Sequence, residues 1–243
     1  MRRNRLGILA AAIIAVGVWG CCSADAGESR IIDAEAYLLY VPADIDEQGL
    51  HPLVIVFSPG GDSRRMIDVW KDTAERYKWM VLASKEFRNG IDADPVLRRL
   101  ADSVDAVRSQ FPVDPSKIIA SGFSGGGMGA HIFAFSYPSL ISAVIVNTGM
   151  INEAYIQRRQ DYPRGKYAVF LASPKDFRYE EMRRDERFLK ELGWRTFWVE
   201  FDYGHAIAPA SAYESAAQWL SEQLKNSRRP GSGVNSDKVR VLF

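Results

Sequence analysis

Short apolar runs and amphipathic stretches alternate through most of this chain. Runs at 37–41, 52–57, 79–84, 117–120, 141–147, 167–172 and 194–201 read as strands. Leu53-Val54-Ile55-Val56-Phe57 is apolar at consecutive positions, as expected of a strand buried on both faces. Between these runs, 64–78, 95–111, 126–137, 180–192 and 209–224 carry helical spacing. In the second of them Val96, Leu97, Leu100, Val104 and Val107 form the apolar stripe, and Pro95 suits its first turn. Pro138 stops the third helix at Tyr137, and Gly193 follows the fourth. Strands alternating with helices over short connections predict an α/β fold in three layers. Its sheet is mainly parallel, with helices on both faces. In such sheets the carboxyl ends of the strands carry the chemistry. The loops after Phe57, Ala120, Ala172 and Phe201 are therefore the ones to inspect.

The ends of the chain break this pattern. Arg2, Arg3 and Arg5 precede an apolar run, 6–19, too short at its centre for a membrane span. Residues 1–26 read as a secretory signal peptide. Two endings compete. Val18-Trp19-Gly20-Cys21 resembles a bacterial lipoprotein box and would place a lipid on Cys21. Ala24-Asp25-Ala26 fits ordinary cleavage and would release a chain starting near Gly27. Either way the protein is expected to be exported, as a periplasmic, envelope-anchored or extracellular protein. One domain is expected over 30–225. The tail 226–243, rich in Ser, Gly, Pro and charge, reads as disordered.

Composition narrows the partners. The chain is 47% hydrophobic and 25% charged, with a net charge of +1, so nothing marks nucleic acid as a partner. Both cysteines, Cys21 and Cys22, lie in the leader, so the domain must be stable without a disulfide.

The chemistry concentrates at Gly122-Phe123-Ser124-Gly125-Gly126. This is G-x-S-x-G directly after an expected strand and directly before an expected helix. The serine must take a strained backbone conformation to point its hydroxyl outward, and bulk at the flanking positions would strike the strand and helix. Ser124 also falls at a helix N-terminus, where backbone N–H groups favour developing negative charge. A serine nucleophile needs a base. His51 precedes a strand and falls at the wrong end of the sheet. His131 is seven residues past Ser124, on the next helix, and reads as a packed residue. His205 follows the last strand, so it is the expected base. The acid that orients it should fall between serine and histidine, and Asp176, in the loop after 167–172, is the expected one. Asp161, Glu180, Glu181, Asp185 and Asp202 are rivals with poorer placement. The oxyanion hole is expected from the N–H groups of Gly125 and Gly60. The latter lies in Ser58-Pro59-Gly60-Gly61-Asp62, where Pro59 has no N–H to offer.

With these residues the chain resembles the α/β-hydrolase superfamily. Within it, the chain is similar to secreted polyhydroxybutyrate-depolymerase-like and feruloyl or acetylxylan esterases. The resemblance covers roughly 37–224. It implies an eight-stranded sheet, often reduced, no metal or organic cofactor, and roles for Ser124 as nucleophile, His205 as base and Asp176 as acid. The chain departs from the family at Ser58-Pro59, where His-Gly is usual. A cap would fall at 149–165, which is short, so little or no cap domain is expected and the serine would be open to large or polymeric esters; the expected partner is a small-molecule or polymeric ester. Tyr155, Arg158, Arg159, Tyr162 and Arg164 lie there, and the arginines could face an anionic substrate group or simply solvent. A peptidase or acyltransferase on the same triad, and a catalytically inactive binding lipoprotein, are the alternatives.

Overall fold

A computed structural model describes residues 27–156 and 158–226. The signal-peptide and Cys21 readings fall outside the described residues, as does the expected tail beyond Asn226. The strands are β1 (Arg30–Asp33), β2 (Tyr37–Val41), β3 (His51–Phe57), β4 (Met80–Ser84), β5 (Val113–Phe123), β6 (Ala143–Asn147), β7 (Tyr167–Ala172) and β8 (Arg195–Glu200). The helices are α1 (Ser63–Tyr77), α2 (Ala93–Gln110), α3 (Gly125–Ser136), α4 (Tyr179–Glu191) and α5 (Ala210–Asn226). The strands form one eight-stranded sheet in the order β1-β2-β4-β3-β5-β6-β7-β8. Pairings of β1 with β2 and of β2 with β4 are antiparallel, and the others are parallel.

The two faces of the sheet bury different helices because successive strand residues point to opposite sides. Leu53, Ile55 and Phe57 pack with α2, α3 and α4. Val54 and Val56 pack with α1 and α5. On that second face Trp70 stacks on Trp79 at 6.2 Å and meets Tyr213 edge-on at 5.0 Å. Truncating Trp70 to alanine would cost about 3–5 kcal/mol in lost burial and cavity. Helix α3 is the exception to amphipathicity. Gly125, Ala130, His131, Ile132 and Phe133 are all buried, so it packs on nearly every side.

The chain crosses from β4, on one side of β3, to β5 on the other. This reversal opens a crevice at the carboxyl ends of β3 and β5. Two expectations are corrected. The edge strand β1 was not foreseen, since Arg30-Ile31-Ile32-Asp33 is short and largely exposed. Strand β5 starts four residues before the expected 117, because Asp114-Pro115-Ser116 hides its entry. Among the described residues of 149–165, where a cap would fall, there is one 3-10 turn, Arg159–Asp161.

Candidate active site

Ser124 sits between the last residue of β5 and the first of α3. Its backbone is at φ 54°, ψ −120°, a region that non-glycine residues rarely enter. The neighbours enforce it. Ser124 N–H donates to the Asn147 carbonyl at 2.8 Å, and Ser124 O accepts from Gly127 at 2.9 Å. A Cβ on Gly126 would lie 2.1 Å from the Phe57 carbonyl, and one on Gly122 would lie 2.2 Å from the Gly126 carbonyl. Only glycine lets β3, β5 and α3 close on the serine this tightly.

The turn aims Ser124 Oγ at His205 Nε2, 2.8 Å away. His205 Nδ1 lies 2.8 Å from Asp176 Oδ2. A carboxylate only accepts hydrogen bonds, so Nδ1 carries the imidazole proton and Nε2 is left to accept from the serine. The Asp176 side chain is fully buried. Its other oxygen accepts from the Arg178 backbone at 2.7 Å. Ser173, just past β7, ties the two loops together: its Oγ accepts from Lys175 N at 3.2 Å and Gly204 N at 3.1 Å. The imidazole lies between aromatic rings, 4.7 Å from Phe177 and 5.4 Å from Phe123. Phe177 and Tyr203 are exposed.

The rival residues are engaged elsewhere. His51 contacts the Asp46 carbonyl at 2.8 Å, at the start of β3. His131 is buried beside Tyr162, and burial, with the Arg159 charge nearby, pushes its pKa down to about 3. Asp202 pairs with Lys175, Glu181 with Arg178, Asp161 with Arg158 and Asp185 with Arg159. Glu180 is exposed in the first turn of α4.

Gly125 opens α3, so its N–H is one of the helix's unbonded N-terminal donors. Gly60 N–H donates to Ser58 Oγ at 3.3 Å, a long bond that a stronger acceptor could replace. The loop carrying Gly60 is braced by Asn89, whose N–H donates to the Pro59 carbonyl at 2.9 Å. The Asn89 amide lies directly over Gly125, where a Cβ would fall 1.8 Å from its oxygen.

Asn147, at the end of β6, was not foreseen. Buried, it donates to the carbonyls of Leu171 and Ala206 at 3.3 Å each. Its oxygen accepts from Ala208 N at 2.9 Å and Tyr213 Oη at 3.0 Å. One side chain thus joins β7, the His205 loop and α5, while its backbone holds Ser124. Among the described residues, no group of three His, Cys, Asp or Glu side chains is placed to hold a metal ion.

A protein-family model, Esterase ("Putative esterase"), matches residues 40–237. No curated protein matches the chain. Solved structures do. A thermostable esterase is 19% identical with a TM-score of 0.58, over 82% of this chain and 62% of its own. The chain thus spans less than two thirds of that esterase's length. A fungal esterase of Rhizomucor miehei is 16% identical with a TM-score of 0.61, over 83% of each chain. The fluorophosphonate-binding serine hydrolase F of Staphylococcus aureus is 11% identical with a TM-score of 0.60, over 81% of this chain and 97% of its own. The shared architecture is the α/β-hydrolase fold.

Proposed function

The chain belongs to the esterase family whose model spans residues 40–237, and from that premise we propose that it cleaves carboxylic esters through an acyl-enzyme on Ser124. The observation that carries this reading is the unbroken line from Ser124 Oγ through His205 to Asp176, 2.8 Å at each step. His205 Nε2 takes the serine proton as Oγ attacks the ester carbonyl. The buried Asp176 carboxylate supports the imidazolium that results. The oxyanion is held by Gly125 N–H at the start of α3 and by Gly60 N–H, which exchanges its long bond to Ser58 for the charged oxygen. His205 then protonates the departing alkoxide, and water enters from the open side to release the acid by the same steps reversed. No metal or organic cofactor has a part in these steps.

The leader reading extends the proposal to location: an exported enzyme, lipidated on Cys21 or cleaved near Gly27. Intact mass of the protein from envelope fractions distinguishes these forms from an uncleaved chain.

Reaction with a fluorophosphonate probe, read by intact mass, tests the site. A single adduct on the wild type that is absent from Ser124→Ala, together with turnover of 4-nitrophenyl esters lost in the same variant, is the expected result. A folded wild type that takes no adduct and turns over no ester would overturn the proposal in favour of a binding role. Release of free acid rather than transfer to an added alcohol or amine separates hydrolysis from acyl transfer.

A further inference from the structure

Two of the arginines of 149–165 are engaged away from the serine. Arg158 pairs with Asp161, and Arg159 with Glu153 and Asp185. Two other arginines, from different loops, share a cavity with the serine. Arg88 follows β4 and Arg178 follows β7. Both line a cavity of about 520 Å³ that also includes Ser124 and Gly125.

The two are held differently. Arg178 is half-buried and already oriented. Its Nη1 donates to Glu181 Oε2 at 3.1 Å and Met150 Sδ at 2.9 Å, and its guanidinium lies 5.1 Å from the centre of the Phe177 ring. Arg88 is exposed and has no carboxylate within ion-pair reach among the described residues. Among the described residues the one carboxylate lining the cavity is Asp92, which is turned to α2, where it accepts from Asp94 N at 3.4 Å. Met128 and Ile132 add apolar wall to the same cavity.

Resting on the esterase reading, we propose that this cavity is a subsite for a carboxylate carried by the substrate, with Arg88 and Arg178 as the residues that select it. A guanidinium fork matches a carboxylate in two parallel hydrogen bonds. Arg88 lacks an acidic partner among the described residues, so its charge is available to a ligand. Arg178 is pre-positioned by Glu181, so little side-chain freedom is lost when it binds. The ester that fits has an apolar spacer against Met128 and Ile132 and an acid at its far end. The acid sits on either the acyl or the alcohol portion, and the test separates the two.

Matched ester pairs test this. Mono-4-nitrophenyl adipate against 4-nitrophenyl hexanoate reads an acid on the acyl side. 4-Acetoxybenzoate against its methyl ester reads an acid on the alcohol side. In one pair the ratio of kcat/KM, acidic over neutral, is expected to fall about tenfold in Arg88→Ala and again in Arg178→Ala. Arg158→Ala, away from the cavity, is expected to leave both ratios in place. Ratios that stay within about twofold of wild type in both cavity variants would overturn the subsite while leaving the esterase intact. If no ester is turned over, the esterase reading fails and titration calorimetry with adipate and 4-hydroxybenzoate takes over. Heat of binding in the wild type that is lost in Arg88→Ala supports the subsite, and its absence from the wild type, or equal binding to both, overturns it.

Discussion

Two buried polar clusters flank helix α3, and they hold their parts of the molecule by opposite means. The first, around Asn147, joins the ends of β5, β6 and β7 to the His205 loop and α5. The bonds at its centre are neutral, and its strain is in the backbone. Ser124 and Thr148 sit at φ 54° and 44°, and the buried Thr148 hydroxyl has no protein partner among the described residues. The second cluster joins α3, the 150–165 segment and α4. Asp185 accepts from Ile151 N at 2.7 Å and Arg159 at 2.8 Å, and Tyr162 meets His131 Nδ1 at 2.6 Å. No described non-glycine residue in that segment has positive φ. Its cost lies in electrostatics instead. Burial pushes Asp185 up to about 6 and His131 down to about 3, and His131 Nε2 and Arg159 Nε lack partners among the described residues. Neutral hydrogen bonds do not change with pH or salt, so they suit the place where a serine must be held to a fraction of an ångström. Charged pairs suffice where a segment need only be kept down.

The sharpest way to separate the clusters is to relax the backbone strain itself. Ser124→Gly removes the nucleophile and also the side chain that disfavours φ 54°. Turnover should fall by about 10⁴-fold or more. Stability should rise by roughly 1 kcal/mol, because relief of 1–3 kcal/mol of strain outweighs the entropy of an added glycine. Thermal melting reads this as a gain of about 2–4 °C. An equal or lower melting temperature would mean that the elbow stores no strain.

The next effect in size comes from the amide that holds a strand, a loop and a helix together. Asn147→Ala strands the Ala208 N–H and the Tyr213 hydroxyl in the interior, at a cost of about 3 kcal/mol. It should also lower kcat about 100-fold, because the His205 loop loses its anchor to β6. Tyr213→Phe removes one of those bonds and keeps the fold. A several-fold fall in kcat with KM unchanged is expected there. If kcat stays at wild type in Tyr213→Phe while stability drops, the cluster serves the fold and not the site.

What could be read in the chain beforehand follows the same division. The central strands were legible because their residues are apolar on both faces, and the helices because their stripes have a fixed period. Strand β1 escaped because an exposed edge strand leaves no such run. Strand β5 was read short because its entry carries Pro115 and shifts register against β3 between His51 and Leu53. Ser124, His205 and Asp176 were legible because a strained turn demands glycines and because chain order restricts the partners. Asn147, Asn89, Arg88 and Arg178 carry no such signature. Asn147 gains its meaning only from Leu171, Ala206, Ala208 and Tyr213, which the fold brings to it. The arginines of 149–165 drew attention by their number, yet acids as far along the chain as Asp185 had already engaged two of them.

The charged cluster supplies the smallest effect, one that changes with pH. The fold favours protonated Asp185, so between about pH 4 and 6 the native state holds more protons than the unfolded chain. Stability from this group is therefore present below pH 4 and lost as pH rises through 6, by on the order of 2 kcal/mol. His131 has the opposite sign. Its pKa in the fold is depressed, so its contribution is present above about 6.5 and lost as pH falls toward 3. In the wild type the two slopes oppose each other across the shared window. Asp185→Asn keeps an acceptor for Ile151 N and removes one slope. Its melting temperature should climb more steeply from pH 4 to 6 than that of the wild type, while 4-nitrophenyl ester turnover at neutral pH stays within a few-fold. Parallel melting profiles for the two proteins would show that Asp185 titrates normally. The charged cluster would then differ from the one around Asn147 in composition alone and not in the way it holds its segment.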